Sequence, residues 1–128
     1  MELNPNQQSP LATWRAHLRA GELAFQVDES SGSPVFYPRV VGPGTGSTLR
    51  WQVSQGLGTV YATTAISSRD QGTYNVALVD MDEGFRLMSR VESIPAEQVR
   101  IGQRVRVRVH HPAGDEAPYP VFDPVEAA

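Results

Sequence analysis

From residue 49 onward, short segments rich in β-branched and aromatic residues alternate with clusters of Gly, Pro, Asp and Glu. Segments of this kind lie at residues 58–66, 73–81, 85–91, 104–110 and 119–125. β-branched and aromatic residues favour extended backbone, and the intervening residues are those that form turns. Asp82-Glu83-Gly84, between two apolar runs, is typical of a hairpin turn. The pattern predicts a mainly β structure.

A short helical turn interrupts this series of strands. It is predicted at residues 95–99, with Ser93 as the candidate cap. Five strands with a helical insert after the third have the layout of an OB-fold, a small Greek-key barrel, although other five-stranded barrels give the same signals. We therefore predict a five-stranded OB-fold domain over residues 49–126.

An amphipathic helix is predicted in the segment 1–23, ahead of the barrel. Ser9 precedes a proline and is a candidate N-cap. Leu11, Trp14 and Leu18 follow the spacing of one helical face. That face packs either against the chain's own domain or against a partner subunit, and the sequence leaves both alternatives open.

The segment between helix and barrel, residues 24–48, is rich in turn-forming residues. Ser, Gly and Pro cluster at 30–34, and Gly, Pro, Thr and Ser at 42–47. The apolar residues between the two clusters predict two short extended pieces, a ribbon-like segment too small to hold a core of its own.

Composition excludes several classes of protein. The chain has 128 residues, of which 40% are hydrophobic, and a net charge of −3, which together exclude a disordered chain. No apolar run approaches the ~20 residues of a membrane span, and the first residues are polar, so we expect a cytoplasmic protein. The absence of Cys excludes a thiolate nucleophile and a cysteine-ligated metal. A pI near 5.5 argues against general nucleic-acid binding.

All 11 basic residues are Arg, and three of them alternate with Val on one predicted strand. Arg104, Arg106 and Arg108 should share one face of that strand, spaced by about 7 Å, because side chains alternate between faces. The face is either a set of ion pairs with acidic residues such as those at 80–83, or a platform for phosphate groups.

Signs of catalysis are weak. His110 and His111 are adjacent and would point to opposite faces, which disfavours joint metal binding. The sequence contains neither a G-x-S-x-G nucleophile elbow nor an H-E-x-x-H motif. We predict a protein that is not an enzyme, with a self-standing hydrolase as a disfavoured alternative.

The chain resembles a family of OB-fold proteins associated with acyl-CoA enzymes, catalogued as domain of unknown function 35 (DUF35). Family members have an N-terminal helix, a rubredoxin-like zinc ribbon and an OB barrel. The matching stretches are Phe25-Gln26, Phe36-Tyr37-Pro38-Arg39, Gly46-Ser47, Trp51, 56–60, 79–84, 86–88, Ile101-Gly102 and Pro120-Val121-Phe122. The family's final Pro-x-Phe-Arg-Pro pattern has Asp123 in place of its arginine.

The resemblance implies a zinc ribbon that has lost its metal. The family carries two C-x-x-C pairs, and Asp28, Ser31, Gly42 and Thr45 stand at their four positions. Only Asp28 could ligate zinc, so we expect no zinc. The segment would then be held by packing of Phe25, Val35, Phe36 and Tyr37 against the barrel or a partner.

The resemblance also implies a non-catalytic accessory subunit of an acyl-CoA-processing complex. Partners of the family include thiolase-like enzymes, hydroxymethylglutaryl-CoA synthases, MaoC-like hydratases and steroid side-chain aldolases; a homo-oligomer is a further alternative. CoA or acyl-CoA is the implied ligand, with no resident cofactor. The candidate phosphate contacts are Arg39, Arg86, Arg104, Arg106 and Arg108, and the candidate partner contacts are Leu11, Trp14 and Leu18. A nucleic-acid-binding OB module is the alternative function, for which Tyr61 and Tyr74 are the only aromatic residues on the first two predicted barrel strands.

Overall fold

A computed structural model describes residues 9–70 and 72–125. Within these ranges the chain forms one α-helix, one 3-10 turn and eight strands. The elements are α1 (Pro10–Arg19), β1 (Ala24–Asp28), β2 (Pro34–Val35), β3 (Leu49–Val53), β4 (Leu57–Ser68), β5 (Gly72–Met81), β6 (Arg86–Ser89), the turn η1 (Ala96–Gln98), β7 (Arg104–His110) and β8 (Tyr119–Pro124). None of the helices in these ranges is long and apolar enough to cross a membrane.

Strands β4 to β8 form the predicted OB-fold barrel. They make an antiparallel sheet in the order β6-β5-β4-β7-β8. A parallel bridge between Val91 and Phe122 joins the two ends of this sheet. The backbone N–H of Phe122 donates to the carbonyl of Arg90 at 2.9 Å, and the N–H of Glu92 donates to the carbonyl of Phe122 at 2.7 Å. The sheet therefore closes on itself, as in a five-stranded Greek-key barrel.

The ribbon-like segment forms a second, smaller sheet. Strand β1 lies at its centre, between β2 and β3. Strand β3 follows residue 48 and pairs with all five residues of β1, from Ala24 opposite Val53 to Asp28 opposite Leu49. The small sheet therefore includes a strand from residues 49–126, the region that was predicted to form the OB-fold domain.

One hydrophobic core serves both sheets. Phe25 and Val27 from the small sheet, and Leu23 just before it, cluster with barrel residues that include Val79 and Phe122. The ring of Phe25 lies 4.7 Å from that of Phe85, between centroids. The predicted packing of the small sheet on the barrel is confirmed for Phe25, but Tyr37 is 73% exposed and contributes little to it.

The caps of the two helical elements differ from each other. The Ser9 hydroxyl accepts a hydrogen bond from the N–H of Ala12 at 3.1 Å, which confirms the predicted N-cap. The prediction of Ser93 as a cap is wrong, because η1 is preceded by Pro95 and has no side-chain cap. Ser93 instead donates to Asp123 Oδ1 at 2.8 Å and has a φ of 71°.

Gly58 lies on β4 where β5 leaves no room for a side chain. A Cβ at this position would stand 2.8 Å from Val79 Cγ1 and 2.9 Å from the carbonyl oxygen of Asp80. The pairing of β4 with β5 shifts register between Val60 and Ala62. The absence of a side chain at Gly58 therefore permits the close approach, and the strand has a β-bulge or irregularity a few residues later.

Candidate functional site

The arginine face of β7 is largely neutralised by carboxylates. Arg104 donates from Nη1 to Asp82 Oδ1 at 2.7 Å and from Nη2 to Asp82 Oδ2 at 2.8 Å. These hydrogen bonds lower the pKa of the Asp82 carboxyl. The core side of the same strand is apolar, with Val105 fully buried. The predicted alternation of faces is confirmed.

An ion-pair network of four residues, Arg108, Asp123, Glu92 and Arg90, lies at the other end of this face. Arg108 donates from Nε to Asp123 Oδ2 at 2.8 Å and from Nη2 to Glu92 Oε1 at 2.8 Å. The hydrogen bonds from Arg108 are the main cause of the lowered pKa of the Asp123 carboxyl. Asp123 thus supplies a partner for Arg108 at the position where the resembling family has an arginine.

The remaining predicted arginines fall into two groups. Arg86 forms a two-point pair with Asp80, at 2.5 and 3.2 Å, and its guanidinium lies 3.6 Å from the centre of the Tyr61 ring. Arg39 and Arg106 are exposed, and neither forms a salt bridge with any carboxylate of the described residues. Of the five candidate phosphate contacts, these two have the guanidiniums most available for a ligand.

A largely apolar groove runs between α1, the chain after β2, and strands β5, β6 and β8. It has a volume of about 460 Å³. Its lining is dominated by aromatic and aliphatic side chains, and Arg90 is its one charged lining residue: Trp14, Phe36, Tyr37, Tyr74, Asn75, Val76, Leu87, Met88, Ser89, Arg90, Tyr119, Pro120 and Val121. Met88 is 67% exposed at the edge of this groove.

Polar atoms of the groove are mostly satisfied within the chain. Asn75 donates to Thr63 Oγ1 and accepts from the N–H of Val91. Ser89 donates to the carbonyl of Pro120 at 2.8 Å. The buried indole N–H of Trp14 has no hydrogen-bond partner among the described residues. The surface left for contacts is therefore mainly aromatic and apolar.

The predicted stripe of α1 divides between the interior and the surface. Leu18 is completely buried, whereas Leu11 is 44% exposed. Trp14 packs against the shared core, with its ring edge-to-face with Phe36 at 6.1 Å, and also lines the groove. The helix therefore docks on its own fold at its C-terminal end and leaves Leu11 and part of Trp14 available to a partner.

The four positions that correspond to lost zinc ligands converge in the structure. Asp28 is 2% exposed. Its Oδ1 accepts from the Ser30 hydroxyl at 2.8 Å, from the Ser47 hydroxyl, and from the N–H of Ser31 at 3.4 Å. Its Oδ2 accepts from the Thr45 hydroxyl at 2.5 Å. These hydrogen bonds, led by those from Ser47 and Thr45, lower the pKa of the Asp28 carboxyl far below its usual range.

The residues at these positions do not fit a zinc ion. Zinc in proteins takes thiolate, imidazole or carboxylate ligands, and only Asp28 offers one of these. A Cβ at Gly42 would lie 2.1 Å from Asp28 Oδ2, so the carboxylate already fills the space in front of this position. No group of three or more metal-ligating side chains exists elsewhere in residues 9–70 and 72–125.

The histidines do not combine into a catalytic or metal-binding group. His17 Nδ1 lies 3.0 Å from Glu22 Oε1, at hydrogen-bond distance, at the end of α1. The ring of His110 packs against that of Tyr119 at 5.0 Å. In the part of the chain that the structure describes, no serine or threonine hydroxyl bonds to a histidine.

Sequence reasoning missed the groove and the donors around Asp28. Tyr74, Met88 and Tyr119 lie on three different strands, and only the barrel topology brings them together. Ser30 and Ser47 belong to the turn-rich clusters, where hydroxyl residues are expected for turn formation alone. The hydroxyl-rich composition on both sides of the lost ligand positions was the available signal.

Comparisons with known proteins agree with this geometry. Residues 51–110 match the family model described as the C-terminal OB-fold domain of ChsH2. A chain in a solved structure titled "Ltp2-ChsH2(DUF35) aldolase" is 25% identical, with a TM-score of 0.80 over 94% of this chain and 98% of that chain. No curated protein matches the sequence.

The closed five-stranded barrel and its matches define the class of the protein as an OB-fold protein. More particularly, both matches support the resemblance to the DUF35 family that the sequence predicted.

Proposed function

We propose that this chain is a non-catalytic accessory subunit of an acyl-CoA-processing complex, with an aldolase-type enzyme as its partner. The observation that carries the proposal is the similarity to a chain of the Ltp2-ChsH2(DUF35) aldolase, which extends over 94% of this chain and 98% of that one. We expect the complex to act in the cytoplasm, and a thiolase-like enzyme or a MaoC-like hydratase is the alternative partner.

The described residues support an accessory role rather than a catalytic one. Two of their histidines are used in a hydrogen bond to Glu22 and in ring packing on Tyr119, and they contain no cluster of metal-ligating side chains. Three of the candidate arginines hold carboxylates of the same chain. These ion pairs stabilise the surface of the barrel, and none of their side chains is arranged as a nucleophile with its base.

Contacts to the phosphates of CoA are proposed for Arg39 and Arg106. Both side chains are exposed and pair with no carboxylate of the described residues, so a phosphate would not have to displace one of these. Arg86, Arg104 and Arg108 are weaker candidates because a phosphate would have to compete with or share the existing ion pair.

The groove is the proposed contact surface for the enzyme partner. Its lining contains Trp, Tyr, Phe, Met and a single Arg, which are the residue types enriched at the centres of protein interfaces. The exposed side chains of Tyr37 and Met88 border it, and Leu11 lies on the adjacent helix. Burial of these side chains by a partner would remove exposed apolar area from water.

Affinity capture of the tagged protein from its native host tests the proposal. We expect an aldolase-type subunit to co-purify in a stoichiometric amount. Met88→Arg should abolish the association, because it places a charge in the groove. Ile101→Arg changes a side chain that is similarly exposed but lies elsewhere, and it should leave the association intact.

Two results would contradict the proposal. Recovery of the protein alone or only as a self-dimer would refute the accessory role. Recovery of the enzyme with both arginine variants would refute the assignment of the groove while leaving the accessory role in place.

A further inference from the structure

The loop after β1 and the loop from residue 42 to residue 47 meet at one carboxylate. Asp28 is the last residue of β1 and is buried. Hydroxyl donors reach it from Ser30 in the first loop and from Thr45 and Ser47 in the second. A buried carboxylate is strongly unfavourable unless it is hydrogen-bonded, so these hydroxyls are required rather than incidental.

Each loop also has its own backbone turn around the carboxylate. The N–H of Gly32 donates to the carbonyl of Asp28 at 2.7 Å, and the N–H of Gly46 donates to the carbonyl of Gly42 at 2.8 Å. These turns fix each loop separately. The side chain of Asp28 connects one turn to the other.

Few apolar contacts are available to hold the second loop. Its residues 43–46 are exposed, and Gly42 and Ser47 are the more buried ones. Thr45 and Ser47 direct their hydroxyls inward to Asp28. The hydrogen bonds to this carboxylate therefore link the loop to the small sheet, together with a direct contact of 3.0 Å between the Ser47 and Ser30 hydroxyls.

We infer that the Asp28 carboxylate performs the structural task of a metal ion in this segment, joining the two loops through hydroxyl donors so that the segment folds without metal. The inference goes beyond the proposed function and does not depend on it. It replaces the expectation that packing alone holds the segment. The four positions that the resemblance assigns to ligands still converge, but on a carboxylate at their centre.

Amide hydrogen exchange followed by mass spectrometry tests the inference on the full chain. Asp28→Asn keeps the shape of the side chain but replaces one acceptor oxygen with an amide donor that would face hydroxyl donors. We expect exchange in residues 29–33 and 42–47 to become about tenfold faster or more, with little change in β5.

A milder pair of variants serves if Asp28→Asn fails to fold. Thr45→Val removes one hydroxyl donor at nearly constant shape, and it should accelerate exchange in both loops. Thr48→Val is the matched control, because the Thr48 side chain is exposed and makes no hydrogen bond within the described residues.

Three outcomes would overturn the inference. The first is equal loop exchange in the wild type and Thr45→Val, and the second is an equal effect of the two threonine variants. The third is faster loop exchange of the wild type after treatment with a strong zinc chelator, since a metal would then be holding the loops.

Discussion

At the scale of single residues, Asp123 shows how one residue difference from the resembling family changes the charge and the ion pairs of a surface. The resembling family has an arginine at this position, whereas here the carboxylate binds Arg108 and accepts a hydrogen bond from Ser93. Since two arginines at 108 and 123 would repel each other, the acidic residue converts a cationic end of the barrel into an internal ion-pair network. Phosphate binding at this end would have to displace that network.

This network predicts a pH-dependent contribution to stability. The pKa of Asp123 is lowered in the folded protein, so its contribution is present above its unfolded pKa of about 3.9 and is lost as the pH falls. We expect Asp123→Asn to reduce the free energy of unfolding by about 0.5–1 kcal/mol at pH 7, because the pair is partly exposed. The difference should shrink below pH about 4.

Urea denaturation at several pH values measures this effect. Asp115→Asn, in the exposed loop before β8, is the control and should change stability little at any pH. A constant difference between wild type and Asp123→Asn from pH 7 down to pH 2 would show that the charge of Asp123 does not stabilise the fold.

At the scale of elements, local sequence patterns predicted most of the strands and turns. Which strands pair with each other depends on the whole fold and could not be predicted in the same way. Alternation identified the core and outer faces of β7, and Asp82-Glu83-Gly84 identified the hairpin from β5 to β6. Strand β3 was grouped with the barrel, yet it pairs with β1, because a strand's local composition does not specify its neighbour.

The candidate site was less accessible to sequence reasoning than the strands. The acidic residues at 80–83 were candidate partners for the arginines of β7, but only Asp82 pairs with one of them. Asp80 pairs with Arg86, Asp82 pairs with Arg104, and Glu83 accepts hydrogen bonds from the segment between β3 and β4. Which carboxylate meets which arginine depends on the register between neighbouring strands. The spacing of residues within one strand does not determine that register.

Helix α1 supplies a prediction at this scale, because its two ends have different surroundings. Leu18 is buried on the chain's own fold, so Leu18→Ala should lower the free energy of unfolding of the isolated protein by about 2–5 kcal/mol. Leu11 is 44% exposed, and Leu11→Ala should change the free energy of unfolding by no more than about 0.5 kcal/mol.

Chemical denaturation of the isolated protein distinguishes these two variants. Equal small effects would mean that α1 is not docked on its own domain and that its apolar stripe serves only a partner. Equal large effects would place Leu11 in the interior as well, which its exposure in the structure contradicts.

At the scale of the whole molecule, the small sheet and the barrel share one core although their strands do not pair with each other. Phe25 from β1 packs on Phe85, and Phe36 stacks on Phe85 as well, with 5.1 Å between ring centres. Elements joined by such packing lose their apolar contacts together, so the chain should unfold in one step.

Two optical probes can follow the two sheets separately during this unfolding. The protein has 2 Trp, and Trp14→Phe leaves Trp51 on β3 as the only fluorescent reporter of the small sheet. Far-ultraviolet circular dichroism reports mainly on the longer strands of the barrel. In urea, both signals should give the same midpoint, and the further change Phe25→Ala should lower both midpoints equally, at a cost of about 3–5 kcal/mol. If the Trp51 signal changes at lower urea than the circular dichroism, the small sheet unfolds independently, and its contacts with the barrel contribute much less to stability than the shared core implies.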